Sequence, residues 1–193
     1  MIVRWPAATH LCLLHGMGSS GQEFREHWGA LAEGSHCTFL DGPEIDRLTG
    51  KRRWFAFSGR ATALAAGVER AADGVEAAVA HLDDLVLAGH SQGAMICLEL
   101  LRRGSLHIRA VCSFAGALPA PLRIAVDRRR QSSAVHMFWS RADRFVAPAE
   151  VEATAAFFAG LPGSTVHRHV SRALSHAFSA DWLDERNFEE VRD

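Results

Sequence analysis

Between Leu85 and Met95 the chain reads LVLAGHSQGAM, a serine set between two glycines where one apolar run gives way to another. Gly89-His90-Ser91-Gln92-Gly93 fits G-x-S-x-G, the sharp strand-to-helix turn that exposes a serine hydroxyl as a nucleophile. A serine hydroxyl attacks poorly until a base takes its proton, and the base works best when an acid orients it. The pattern is short enough to arise by chance, so its meaning rests on those partners and on the elements that bring them together.

Chain order narrows the search, because sites of this kind run Ser, then Asp or Glu, then His. Of eleven histidines, His167, His169 and His176 follow the plausible acids. His167 and His169 alternate within TVHRHV (165–170), so they share one face of a strand and lie before its carboxyl end. A structural role suits them. His176 comes six residues after that segment, in SRALSHAF, on the edge where Ser91 must sit, and is the expected base. Asp143, in WSRADRFVAP, lies just beyond a strand ending at Trp139 and is the expected acid. Its task would be to accept the imidazole N–H and fix the tautomer. The competing reading of Asp143 is a loop carboxylate paired with Arg141 or Arg144. Asp127 sits upstream beside an arginine run and suits a solvated loop, whereas Asp181 and Asp184 follow His176 and break the order.

Acyl transfer also needs donors for a tetrahedral oxyanion. LLHGMGSSG (13–21) follows the first clear strand, where one half of such a hole arises. The expected pair is the backbone N–H of Met17 and that of Gln92, the residue after the nucleophile.

The elements that must position these groups alternate. HLCLL (10–14), CTFL (37–40), LVLAG (85–89), AVCSF (110–114), AVHMFW (134–139) and TVHRHV (165–170) read as strands, most of them near-continuous apolar runs as in strands covered on both faces. Ser20-Gly21-Gln22-Glu23 reads as a capping box ahead of Phe24, Trp28 and Leu31. A 3–4 spacing runs Ala61, Leu64, Val68, Ala71, Val75, Ala78, Leu82, with Gly67 and Gly74 placed for close helix packing. Met95 to Arg103 ends at Gly104, and Pro148 opens a helix carrying Val151, Ala155 and Phe158 and stopping near Gly160. A last amphipathic segment is expected over 180–191. Segments 41–59 and 118–131 read as irregular. Strands alternating with helices imply a mostly parallel sheet flanked by helices, in one domain over 1–193.

Bulk properties set limits. The net charge of −1 argues against general nucleic-acid binding, and no apolar run approaches a membrane span. GKRRWFAF (50–57) mixes cations with aromatics but suits an active-site loop, and DRRRQ (127–131) suits a solvated one. Cys12, Cys97 and Cys112 lie in apolar runs and read as buried thiols, with no CxxC spacing. No secretory leader is visible at MIVRWPAATH, so a cytoplasmic location is expected. His167-x-His169 has no third ligand in sequence, and there is no phosphate-binding glycine motif, so neither a metal nor a cofactor is expected.

Taken together, LHGMG, RWF (53–55), GHSQG, FAGALP (114–119), Asp-x-x-Val at 143–146 and a late histidine resemble the phospholipase/carboxylesterase family, which includes acyl-protein thioesterases. The resemblance covers nearly the whole chain. It implies an α/β-hydrolase fold, the triad Ser91, Asp143 and His176, and oxyanion N–H groups from Met17 and Gln92. It also implies that Trp54, Phe55 and Leu118 border a pocket for a small-molecule ester or thioester. The chain departs from the family pattern in places: Ala94 stands where a second glycine is usual, Ser-Arg-Ala-Asp replaces His-Gly-x-x-Asp, Ser175 precedes the histidine, and Ala56 follows RWF in place of aspartate. No insertion is long enough for a helical lid. Two other readings use the same residues: a non-catalytic α/β-hydrolase-like binding protein, and an acyltransferase or perhydrolase with the same triad.

Overall fold

The computed structural model describes residues 10–28, 36–47, 49–57, 59–126 and 132–191. Seven strands form one sheet in the order β2 (His36–Leu40), β1 (His10–Leu14), β5 (Leu85–His90), β6 (Ile108–Phe114), β7 (Ser133–Ser140), β8 (Ser164–Ser171) and β9 (Glu189–Val191). Every pairing is parallel except the last, in which β9 runs antiparallel to β8. β5 is buried along its whole length, which is why LVLAGH reads as an unbroken apolar run.

One face of the sheet is covered by α2 (Ala61–Val79), α3 (Gln92–Arg103) and α4 (Pro148–Ala159). The stripe on α2 is rotated from the expected one. Val68, Ala71 and Val75 are buried as expected, but Ala65, Ala72 and Val79 are buried beside them, while Ala61 and Ala78 face water. Gly67 does admit a close neighbour, since a Cβ there would lie 3.0 Å from the Phe55 ring, but nothing lies within 4 Å of such an atom at Gly74.

The other face is covered by α1 (Gly21–Trp28) and by aromatic side chains from the C-terminal segment. Ser20 Oγ accepts the Glu23 N–H at 3.1 Å, the expected N-cap bond. Phe24 and Trp28 are buried; Leu31, expected to continue their stripe, lies outside the described residues, as do Asp127 and the rest of DRRRQ. The amphipathic segment over 180–191 is not one helix. It forms two single 3₁₀ turns, Ala180–Leu183 and Glu185–Asn187, and then β9. Asp184 accepts the Arg186 N–H and starts a fresh turn, and β8 offers an edge that β9 pairs. Within the segment expected to be irregular, β3 (Glu44–Ile45) and β4 (Arg52–Arg53) form a small antiparallel pair. Its cations meet acids: Arg53 lies 2.9 Å from Glu44 and 3.0 Å from Asp46, and Lys51 lies 3.9 Å from Glu23. Cys12, Cys97 and Cys112 are buried thiols. Among the described residues, no helix is long and apolar enough to cross a membrane.

His167 and His169 do share one face, where they join a stack. The His136 ring lies 4.5 Å from His167 and 5.7 Å from His169, and Phe138 lies 4.3 Å from His169. Burial, then the neighbouring imidazoles His167 and His169, push the His136 pKa down to about 4. Burial, partly offset by Glu190, does the same for His169. Against an ordinary value of 6.5, the unfolded chain binds more protons than the folded one between those limits. The stability contributed is therefore complete above about pH 6.5 and is lost as the pH falls to about 4. The thermal midpoint should drop between pH 7 and pH 4.5, and His136→Phe, which keeps a ring in the stack, should flatten that drop. An equally steep drop in the variant would rule His136 out as a source of acid sensitivity.

Candidate active site

All the groups singled out by chain order come to the carboxyl edge of the sheet, where ligands bind in open α/β folds. Across that edge the loops follow in spatial sequence: His15–Gly18 after β1, Ser91 after β5, Asp143 after β7 and His176 after β8. Parallel strands point all four loops the same way, so residues as far apart in the chain as Gly16 and Phe178 face one pocket.

Ser91 ends β5 and opens α3 with φ 52° and ψ −112°, a positive φ that side chains other than glycine rarely adopt. The turn is tight because Gly93 packs on the first strand: a Cβ there would lie 2.2 Å from the Leu14 carbonyl oxygen. Ala94, in the place of a glycine, is accommodated from the other side, since only Gly116 leaves room beside its methyl. The strain turns the Ser91 hydroxyl outward. Its Oγ lies 2.9 Å from His176 Nε2, and His176 Nδ1 lies 2.8 Å from Asp143 Oδ2. The ring N–H on Nδ1 faces the carboxylate, leaving Nε2 to face the hydroxyl.

Asp143 is buried, and its Oδ1 accepts the N–H groups of Phe145 at 2.8 Å and Val146 at 3.1 Å. Burial alone would raise its pKa, but the bonds from His176 and from those two N–H groups outweigh it and hold the carboxyl below its ordinary value. Among the described residues neither Arg141 nor Arg144 pairs with it.

Met17 lies exposed at the pocket, and Gln92 is the first residue of α3, whose N–H has no intrahelical acceptor. Two features that the sequence reading missed shape this part of the site. His15 donates through Nδ1 to the Gly16 carbonyl at 2.7 Å and accepts the Gly42 N–H on Nε2 at 2.9 Å, which braces the HGMG turn. The Gln92 side chain accepts the Trp54 N–H at 3.0 Å and donates to the Phe55 carbonyl at 2.9 Å.

Those bonds correct the expected pocket wall. Trp54, Phe55 and Leu118 are buried in the core and do not line the pocket before Ser91. The Trp54 indole donates to the His15 carbonyl at 2.8 Å, Phe55 packs on Gly67, and the Leu118 N–H is held by Thr154. The three are scaffold beneath the site. Its pocket, about 570 Å³, takes its apolar wall from Phe57, Met95, Phe145, Val146 and Phe178, with Ser19, Glu23, His27 and Lys51 on its polar side. Phe145 is 81% exposed and lies 4.9 Å from the His176 ring. The Asp-x-x-Val motif held a signal for it, as the second of the two residues between the acid and the valine.

A mostly parallel sheet with a strained serine after β5, and with an acid and a histidine on the loops beyond, defines an α/β-hydrolase. The family model of the phospholipase/carboxylesterases matches residues 3–185, and the chain belongs to that family. It is a hydrolase of the carboxylesterase/thioesterase type. Solved structures share the fold. Esterase PE8 is 24% identical with a TM-score of 0.76, over 93% of this chain and 89% of its own. The carboxylesterase of Bacillus cereus is 16% identical with a TM-score of 0.73, over 95% and 88%. Acyl-protein thioesterase 2 of Zea mays is 17% identical with a TM-score of 0.65, over 93% and 90%. No curated protein matches the chain significantly.

Proposed function

We propose that this protein cleaves carboxylic esters or thioesters of short to medium acyl groups through an acyl-enzyme on Ser91. The observation that carries the reading is the unbroken chain Asp143–His176–Ser91, at 2.8 and 2.9 Å, opening on an apolar pocket. In this reading Ser91 Oγ attacks the carbonyl carbon while His176 Nε2 takes the hydroxyl proton. Asp143 steadies the imidazolium so formed, and the N–H groups of Met17 and Gln92 receive the oxyanion. His176 then protonates the departing alcohol or thiol. Water, deprotonated by the same imidazole, attacks the acyl-enzyme and frees the acid and Ser91. The chemistry asks for no cofactor.

Chain length tests the substrate class. Phe57, Phe145 and Phe178 can bury a few methylenes at about 0.8 kcal/mol each, or about fourfold in kcat/KM per methylene. Phe57 and Phe145 are themselves largely exposed at the mouth, so a longer chain passes them into water and gains little. Across a series of acyl esters and thioesters run beside Ser91→Ala, kcat/KM should climb over the short members and then level or fall. A steady climb to palmitoyl would reject the size limit. Turnover that survives in Ser91→Ala would reject the acyl-enzyme.

A further inference from the structure

His90, the first of the two variable residues of the G-x-S-x-G turn, is buried at 6% exposure and takes no part in the proton relay proposed above. Its Nε2 lies 2.8 Å from the backbone carbonyl oxygen of His176, 86 residues away in the chain. Only an N–H can be shared with a carbonyl, so the proton sits on Nε2 and Nδ1 is bare. That bare edge faces the HGMG turn: a Cβ at Gly16 would lie 2.5 Å from Nδ1, so the turn closes on the imidazole only because residue 16 is glycine. Phe178 and Trp182 close round the ring, with centroids 5.1 and 6.2 Å away. Burial foremost, and then the nearby His176 imidazole, push the His90 pKa down to about 3, which favours the neutral ring.

His176 needs such a tether. It stands in a segment without regular structure between β8 and the first 3₁₀ turn, where no sheet or helix fixes its backbone. Its side chain is held at both ring nitrogens, but those bonds are the ones that must loosen and re-form when a proton moves. A fixed backbone keeps the ring aimed through that change, and the bond to His90 takes its position from β5, the strand that also aims Ser91.

We propose that His90 is a positioning residue that fixes the backbone of His176 against the nucleophile turn, so that base and nucleophile are held by one strand. The inference rests on the role of His176 proposed above. A misplacement of the base by about 1 Å costs on the order of a hundredfold in rate, which sets the scale of the effect.

The test compares His90→Phe, which keeps a ring but no donor, with His90→Gln, whose amide nitrogen reaches about as far as Nε2. His90→Phe should lower kcat between about tenfold and a hundredfold with KM within about twofold, and should slow fluorophosphonate labelling of Ser91 in step. Amide hydrogen exchange over residues 172–178 should quicken in His90→Phe. His90→Gln should recover most of both losses. Unchanged kcat and exchange in His90→Phe would overturn the proposal, and so would a Gln variant as impaired as the Phe one, which would mean that only the ring's packing counts. A third measurement needs no variant to fold: ¹⁵N spectra of the wild-type protein should show His90 as the neutral Nε2–H tautomer, and the Nδ1–H tautomer would overturn the tether. Exchange and tautomer are read without turnover. If the wild type proved inactive with the tether intact, the proposed function would fall and the tether would stand.

Discussion

A fluorophosphonate is expected to label this protein once, on Ser91, and Ser91→Ala is expected to lose about a millionfold in kcat. The expectation follows from the geometry of the turn. Ser91 is held at φ 52° with Oγ 2.9 Å from an imidazole nitrogen, so the hydroxyl proton has an acceptor before any substrate arrives. In labelling, Oγ forms a bond to phosphorus, fluoride leaves, and the proton passes to His176. The adduct imitates the tetrahedral intermediate, so its forming also reports on the oxyanion donors. Ser19 lines the same pocket, but among the described residues no imidazole is hydrogen-bonded to it, and it should stay unmodified. His176→Ala should abolish labelling almost as fully as Ser91→Ala, because residues acting as one unit do not contribute additively. Rapid modification of Ser19, or of Ser91 at an undiminished rate in His176→Ala, would show that the hydroxyl is not activated in this way.

The parts of this molecule that were legible in its sequence are those fixed by period or by order. Strands covered on both faces must be apolar throughout, so Leu85–His90 and Ile108–Phe114 declare themselves within a residue or two at each end. Parallel strands leave every strand-to-helix loop on one edge. Chain order and edge alone therefore single out Ser91, Asp143 and His176, and these do lie within hydrogen-bond reach of one another. Periodicity falls silent in irregular segments. Trp54 and Phe55 are two aromatics in a loop beside the Ser91 turn, and nothing in RWF says whether they face the pocket or the core. The Gln92 carboxamide, which holds both of their backbones, decides for the core. Phe57, two residues further on, lines the pocket instead. The C-terminal segment misled for a related reason. Its apolar residues suit a short amphipathic helix, but Asp184 caps a new turn and an open sheet edge competes for the chain. His90 carried no signal, because its partner is a backbone carbonyl, which every residue has.

Replacing Asp143 with asparagine should preserve the fold and lower kcat by about 10⁴. The carboxylate's two oxygens have different duties. Oδ1 accepts two backbone N–H groups, from Phe145 and Val146, so in Asp143→Asn the amide oxygen is compelled to take that place. The amide nitrogen then occupies the position of Oδ2, 2.8 Å from His176 Nδ1 in the wild type, and presents a hydrogen where an acceptor stood. Imidazole can answer only by giving up the Nδ1 proton and carrying it on Nε2 instead. That nitrogen now meets Ser91 Oγ with a proton of its own and can no longer take one. The loss should therefore fall on kcat, with KM little changed and a thermal midpoint close to wild type. The ¹⁵N spectrum of His176 should show its proton moved from Nδ1 to Nε2. Asp127→Asn serves as the control, since that residue precedes β7, beside an arginine run that suits a solvated loop. If Asp127→Asn proved the damaging change and Asp143→Asn a mild one, Asp143 would not be the acid. If Asp143→Asn lost activity only by unfolding, the tautomer argument would have no support.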